Sequence, residues 1–349
     1  MSRVFVTGLG AVSPAGWTVA AMREALELGR PLPTKPLEQR RDKPLLARLV
    51  PNPVTRPDFL SHPRFRRASA ITHYTASVVL EAAAPFRQAC PENSRLGLIV
   101  CLQSGCVQYS CRFYDETLKN PATASPLLFP ETVYAAPSSH TAALLENVTL
   151  VNSLVGDPSA FLQGLSLAAQ WLAEERVDAC VVAGAEETNW ITADALWHLD
   201  RTAFISAGAG AICLSREKGL SIGVELTAIT DAHTYSARKN RFQAANSMRH
   251  QLNGKPSDNN AELLCDGLGN GSRANAPEML AWQDWNGPRL SPKRILGEGL
   301  MAAAAWQCVA ACDALANRRF KAANVSLVGF NQQAIGARFE SIFPAINSK

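Results

Sequence analysis

Few side chains in this sequence are suited to covalent or acid–base chemistry. Cysteine is the strongest nucleophile present, at Cys90, Cys101, Cys106, Cys111, Cys180, Cys213, Cys265, Cys308 and Cys312. Most lie inside apolar stretches, and an odd number without regular spacing reads as reduced, buried thiols. Cys308 and Cys312 stand four apart and Cys106 and Cys111 five apart, but no histidine pair with ligand spacing accompanies them, so no metal site is expected. Cys106 with His140 is a Cys/His combination that could activate a thiolate, although a hydrogen-bonded core histidine is the plainer reading of His140. Ser159 is a second nucleophile, in Asp157-Pro158-Ser159 directly before a helical stripe. There Asp157 is a natural N-cap and Pro158 a natural first helical residue. Asp157 raises the pKa of a neighbouring nucleophile, and no histidine lies near in sequence to act as base.

These groups need a scaffold. Arg3 to Thr7 alternates as a short strand, Gly8-Leu9-Gly10 reads as a turn, and Val19 to Leu28 reads as a helix. A dinucleotide fingerprint fails because its third glycine falls on Ser13 and no acidic residue closes the unit, so no cofactor is expected. Residues 31 to 66 are rich in Pro and Arg and read as an irregular excursion. Arg67 to Ala84 has helical periodicity, and Leu96 to Leu102 suits a strand buried on both faces. Asn147 to Val151 and Ala179 to Ala185 read as strands flanking a helix whose stripe is Phe161, Leu162, Leu165, Ala168, Ala169 and Leu172. The later chain repeats this grammar: strands at Ile222 to Ile229, Glu262 to Cys265 and Val325 to Phe330, with helices at Pro277 to Trp285 and Glu298 to Asn317. Alternating strands and helices give an α/β architecture with helix-covered sheets.

With 349 residues and 47% hydrophobic content, the chain is long enough for two domains or one duplicated fold. Thirty-four Lys and Arg against 30 Asp and Glu give a net charge of +4, too mild to point to nucleic acid. Arg64, Arg66 and Arg67 form the strongest basic cluster and Arg318, Arg319 and Lys321 a second; solvated helix ends are their default explanation. The first residues lack the pattern of a signal peptide, and glycines and Pro14 interrupt the uncharged run from Val4 to Met22, so a soluble, cytoplasmic protein without a membrane span is expected.

Several segments resemble those of β-ketoacyl synthases, in family order: Val4 to Gly16 the first strand and loop, Val177 to Glu186 the "AD…AGGAE" strand, and Phe204 to Ala211 the "GFV…GEGAG" segment. Ser291-Pro292-Lys293 through Gly299 resembles "S.K…TGH.LGAAG", and Val328-Gly329-Phe330-Asn331 the start of "GFGGTN". The resemblance implies the thiolase fold, a five-layered αβαβα core of two similar halves, here 1–217 and 218–349. It also implies a Cys nucleophile at a helix start and two histidines that assist decarboxylation and stabilise an enolate. Carried over by motif spacing, the nucleophile position falls on Pro158, with Ser159 beside it, and the histidine positions on Asp266 and Glu298, while Lys293 remains. The last histidine in the chain is His250, and carboxylates at neutral pH repel an enolate.

The chain is therefore similar to a degenerate, non-catalytic chain-length-factor subunit of type II polyketide systems, most like those of aryl polyene pathways. That implies a heterodimer with an active ketosynthase, built around residues 147 to 190, and elongation of fatty-acid-like chains on an acyl carrier protein. Phe161, Leu162, Leu165 and Phe330 are candidates for the tunnel wall or interface; Arg64, Arg66 and Arg67 are candidates for steering the acidic carrier protein. Lys293 is expected to hold Asp266 or Glu298 in a vestigial ion pair, and Glu298 alone reads as a helix N-terminal carboxylate. Two alternatives stay open: a stand-alone acyltransferase, hydrolase or decarboxylase using Ser159 or Cys106, and a homodimeric acyl-binding scaffold.

Overall fold

The computed structural model describes residues 3–37, 44–90, 93–236, 238–252, 261–330 and 332–343. Asn331, in the last resembling segment, lies outside the described residues. The strands are β1 (Val4–Val12), β2 (Lys35–Pro36), β3 (Leu46–Arg48), β4 (Leu96–Leu102), β5 (Val148–Val155), β6 (Ala179–Glu186) and β7 (Ile205–Ser206). They continue as β8 (Gly208–Ser215), β9 (Val224–Ile229), β10 (His233–Thr234), β11 (Glu262–Cys265), β12 (Arg289–Leu290), β13 (Ala322–Val328) and β14 (Gln333–Ser341). The helices are α1 (Val19–Leu28), α2 (Ala70–Ala89), α3 (Val107–Lys119), α4 (Ala136–Leu145) and α5 (Ala160–Ala173). After them come α6 (Trp190–Leu199), α7 (Arg238–Gln251), α8 (Ser272–Ala281), α9 (Pro292–Leu296) and α10 (Met301–Ala316).

The main sheet runs β12-β11-β13-β14-β9-β1-β8-β6-β4-β5, with β10 paired onto β14. From β1 outward, β8 and β6 follow antiparallel, and then β4 and β5 parallel. From β9 outward, β14 and β13 follow antiparallel, and then β11 and β12 parallel. The two five-strand runs thus share one order and one pattern of directions, a duplication with no readable trace in the sequence. They join where Val4 to Val6 of β1 pair antiparallel with Val224 to Leu226 of β9.

Helices α5 and α10 fill the space between the halves. Every residue of α10 from Met301 to Leu315 is buried, so an alanine-rich helix without a polar face is the sequence that fits there. Trp306 fixes it by donating its indole N–H to the carbonyls of Val12 and Ala209 at 3.0 and 2.9 Å. Helix α2 covers the outer face of the first half, where Ile71, Val78, Val79 and Phe86 pack on β4, β6 and β8. On the second half, Met248 of α7, Leu252 just after it and Trp282 after α8 share one buried cluster with Leu264. The layers are αβαβα, as the resemblance implies.

Gly8-Leu9-Gly10 is not a turn. Strand β1 continues through it, with a shift of register between Val6 and Gly8, and the glycines are there because α2 presses on the strand: a Cβ at Gly8 or Gly10 would lie 2.0 and 2.1 Å from the carbonyl oxygens of Ala82 and Val78. Helix α8 ends at Ala281 and carries Pro277 inside it rather than at its start. Helices α3 and α4 and strand β14 are additions to the elements read from sequence.

Candidate functional site

The parallel strands of both halves point their carboxyl ends to one region, the place where open α/β sheets expose loops for chemistry. After β5, the chain turns through Gly156-Asp157-Pro158-Ser159 into α5, which starts at Ala160, two residues later than the capping pattern predicts. Asp157 still serves the helix start: its Oδ1 accepts the Ser159 backbone N–H at 3.2 Å and also the Ser159 hydroxyl. Ser159 is completely buried and Asp157 is 3% exposed. Burial pushes the Asp157 carboxyl up, and its Oδ2 accepts no hydrogen bond. Gly329, directly after β13, closes this corner, because a Cβ there would lie 1.8 Å from Asp157 Oδ2. A serine sealed in this way has no room for an incoming thioester.

In the second half, Asp266 follows β11 and is completely buried. Its Oδ1 accepts from the Leu268 N–H at 3.2 Å and the Ser291 hydroxyl at 2.6 Å, and Arg289 stands 3.4 Å from Oδ2. Glu278, on α8, accepts from the Gly267 N–H at 3.1 Å and the Ser326 hydroxyl at 2.5 Å. Burial raises both carboxyls; Glu278 is pushed up to about 7, with the charge of Asp266 as the next cause. Two carboxyl groups this close in a dry pocket do not ionise together readily. Sequence reasoning missed Glu278, since a lone glutamate in a mixed helix carries no signal of burial.

Lys293, on α9, pairs with Glu298 at 2.8 Å, the pairing expected for one of its two candidate partners; the Asp266 charge goes to Arg289 instead. Glu298 Oε1 also accepts the Leu300 N–H at 3.0 Å and so holds Leu300 at φ 49°, a costly backbone conformation for a branched residue, just before α10. Phe330 lies 5.6 Å from Lys293 Nζ and caps the pair. Asp200, Ala203, Asn275, Lys293, Glu298 and Phe330 enclose a cavity of about 20 Å³, room for a single water. The structure therefore gathers Lys293, Glu298 and Phe330, and through Gly329 brings the Asp157-Ser159 corner to the adjacent residue.

Cys106 and His140 do not pair. Cys106 Sγ reaches the Val133 carbonyl at 3.7 Å and His140 Nε2 meets Glu131 Oε1 at 2.9 Å. Burial pushes the Cys106 thiol up to about 12, which leaves a negligible thiolate fraction at neutral pH. Phe161, Leu162 and Leu165 are fully buried in the core between the sheets, so none of them is exposed as an interface. Arg64, Arg66 and Arg67 are exposed around the buried Phe65. In the second cluster, Arg319 pairs with Glu27 at 2.9 Å and Arg318 stacks on Phe343. Glu186, the last residue of β6, and Glu187 directly after it are buried carboxyls, pushed by desolvation up to about 8 and about 7. They accept the backbone N–H groups of Gln103, Ser104, Ile71 and Gln108, tying the starts of α2 and α3 to the sheet. Among the described residues, no group of three or more His, Cys, Asp and Glu is placed to hold a metal, and no helix is long and apolar enough to cross a membrane.

No protein-family model and no curated protein matches the chain. Solved structures do. A β-ketoacyl synthase from Burkholderia phymatum superposes with a TM-score of 0.84 over 98% of this chain and 100% of that one, at 15% identity. A ketosynthase in complex with its chain length factor, from Xenorhabdus doucetiae, gives 0.79 over 97% and 98%, at 12% identity. A type II polyketide acyl carrier protein in complex with its ketosynthase bound to the hexaketide gives 0.78 over 98% and 99%, at 15% identity. The chain has the thiolase-type fold of ketosynthases and chain length factors.

Proposed function

We propose that this chain is a non-catalytic, chain-length-factor-like subunit that pairs with an active β-ketoacyl synthase and helps it elongate polyketide chains, of aryl polyene type, on an acyl carrier protein. In this reading residues 1–217 carry the lost nucleophile position and residues 218–349 both replaced histidines. One observation carries it: the groups standing at those positions are spent on one another. Ser159 is sealed on Asp157, Asp266 is held by Arg289 and Ser291, and Glu298 by Lys293, with space for one water beside the Lys293–Glu298 pair. Such a site has no free nucleophile and no imidazole at either histidine position.

The surface supports a partner. β5 is the outer strand of its half, and Val151 and Val155 on it are 46% and 57% exposed. An eight-residue edge strand with exposed valines is prone to pair with another chain. Leu127, Phe129 and Tyr134 add apolar surface from the α3–α4 connection. A cytoplasmic heterodimer formed through this edge, with Arg64, Arg66 and Arg67 steering the acidic carrier protein, follows from the same reading.

The test is co-expression with a ketosynthase that has an intact Cys-His-His set, followed by mass spectrometry after incubation with malonyl and acyl carrier protein. The expected outcome is a one-to-one complex with acyl label on the synthase alone. Label on Ser159 or Cys106 of this chain establishes the stand-alone enzyme instead, and a soluble homodimer that ignores the synthase establishes the scaffold.

A further inference from the structure

Three of the chain's six histidines converge on one phenylalanine. Phe65 is 1% exposed, and its ring centroid lies 6.3 Å from that of His62, 6.2 Å from His73 on α2 and 6.0 Å from His140 on α4. Phe59, in the preceding Asp58–Ser61 turn, adds a fourth ring at 5.3 Å. Phe65 ends one turn of 3-10 helix, Pro63–Phe65, and so anchors the exposed Arg64, Arg66 and Arg67. Two histidine bonds hold that turn. His62 Nδ1 accepts the Arg64 backbone N–H at 3.3 Å, so this nitrogen carries no proton. His73 Nε2 donates to the Phe65 carbonyl at 2.9 Å, while His140 Nε2 meets Glu131.

Acid works against this arrangement. A proton on His62 Nδ1 removes the acceptor for the Arg64 N–H. A charge on His73 is buried: desolvation holds its imidazole below the usual range, opposed by the Phe65 carbonyl and Glu131 and reinforced by His140. A histidine held low in this way supports the closed state above its ordinary value of about 6.5, and that support is lost as pH falls through the lowered one. Three imidazolium rings around one phenylalanine, beside three guanidinium groups, also repel one another, and Glu131 balances one charge. Facing Glu131 from the start of α3 are Cys106 and Tyr109, which burial pushes up and away from the acid range, with Arg67 and Arg112 acting on Tyr109. Glu186 and Glu187, pushed up to about 8 and about 7, face Cys106. Carboxyls raised in the fold stabilise it as pH falls, which is the opposite sign, and the bonds of Glu187 go to Ile71 and Gln108 rather than to the arginine turn.

We propose that His62, His73 and His140 form an acid-released latch on the arginine-bearing turn, closed around Phe65 at neutral pH and open near pH 5. The latch is a property of this chain alone. Its bearing on an acidic carrier protein, which meets ordered arginines at neutral pH and mobile ones in acid, rests on the pairing role proposed above, whereas the opening itself does not.

The test is amide hydrogen exchange of the full chain at pH 7.5 and pH 5, with each rate divided by its intrinsic rate at that pH so that only the opening equilibrium is read. At pH 5 an imidazole of ordinary pKa is protonated about thirtyfold over neutral. Protection over residues 58–69, above all at the Arg64 amide, should therefore fall about tenfold or more, while protection over β4 stays unchanged. His62→Asn keeps an oxygen acceptor for the Arg64 N–H and His73→Gln keeps an N–H donor for the Phe65 carbonyl, and neither replacement titrates. The double variant should show the parent's neutral-pH protection at both pH values. Protection in the parent that does not change with pH, a fall of equal size over β4, or a fall that survives undiminished in the double variant overturns the proposal. So does a double variant already unprotected at pH 7.5, since both replacements retain the bonds of which the latch is made.

Discussion

Replacing Glu278 by glutamine should remove a loss of stability that this protein otherwise suffers as pH rises from about 4.5 to about 7. Glu278 is 4% exposed, its Oε1 accepts from Gly267 and Ser326, and the buried Asp266 charge adds to the desolvation that lifts its carboxyl to about 7. The unfolded chain releases the same proton near 4.5. Between those values the folded state binds more protons than the unfolded state, so stability falls as pH rises from about 4.5 to about 7 and stays lowered above it. A difference of this size corresponds to roughly 3 kcal/mol at about 1.4 kcal/mol per tenfold. The neighbouring Gln307 Oε1 is buried and accepts no hydrogen bond, and it lies with Glu278 Oε2 around Gly267. A protonated carboxyl, or the amide of glutamine, supplies a donor to that corner. Glu278→Gln should therefore match the parent at pH 5 and exceed it by roughly 3 kcal/mol at pH 8, measured by urea unfolding across that range. Glu186 and Glu187, raised in the same direction, contribute equally to both proteins and cancel in the difference. A difference that does not change with pH, or a variant that is weaker at pH 8, refutes the assignment of a buried neutral acid.

Two further substitutions address the closed site and the sheet. Glu298→Gln strands Lys293, 9% exposed, without its partner and should cost about 3 kcal/mol in unfolding free energy, whereas Lys293→Met combined with Glu298→Gln should recover most of it; equal losses for single and double variants refute a coupled pair. Gly10→Ala sets a Cβ against the Val78 carbonyl and should lower stability by about 2 kcal/mol, read as an earlier urea midpoint with an unchanged slope; a neutral result refutes the close approach of α2 to β1.

Some elements were legible because one physical signal sufficed. The continuous apolar run at Leu96–Leu102 could only be a strand buried on both faces, and its observed bounds are those read from sequence, as are those of Glu262–Cys265. The stripe of α5 was legible for the same reason, whereas its first turn was displaced because Asp157 spends its carboxylate on Ser159 before the helix begins. Gly8 and Gly10 were misread since glycine permits both a turn and a close approach, and only the arrival of α2 distinguishes them. Strand β14 and the buried state of Glu278 carried no local signal at all.

By itself, the sequence determined one limit: with no histidine beyond His250, no arrangement of the backbone can draw an imidazole from residues 251–349, where the resemblance places both histidine positions. The tertiary structure alone decided what the remaining polar groups do. Asp157 meets Gly329 across 172 residues of chain, and Lys293 chooses Glu298 while Asp266 goes to Arg289. Those choices depend on which side chains the folded sheets bring within a few ångströms and cut off from water, a distance that residue spacing along the chain does not encode.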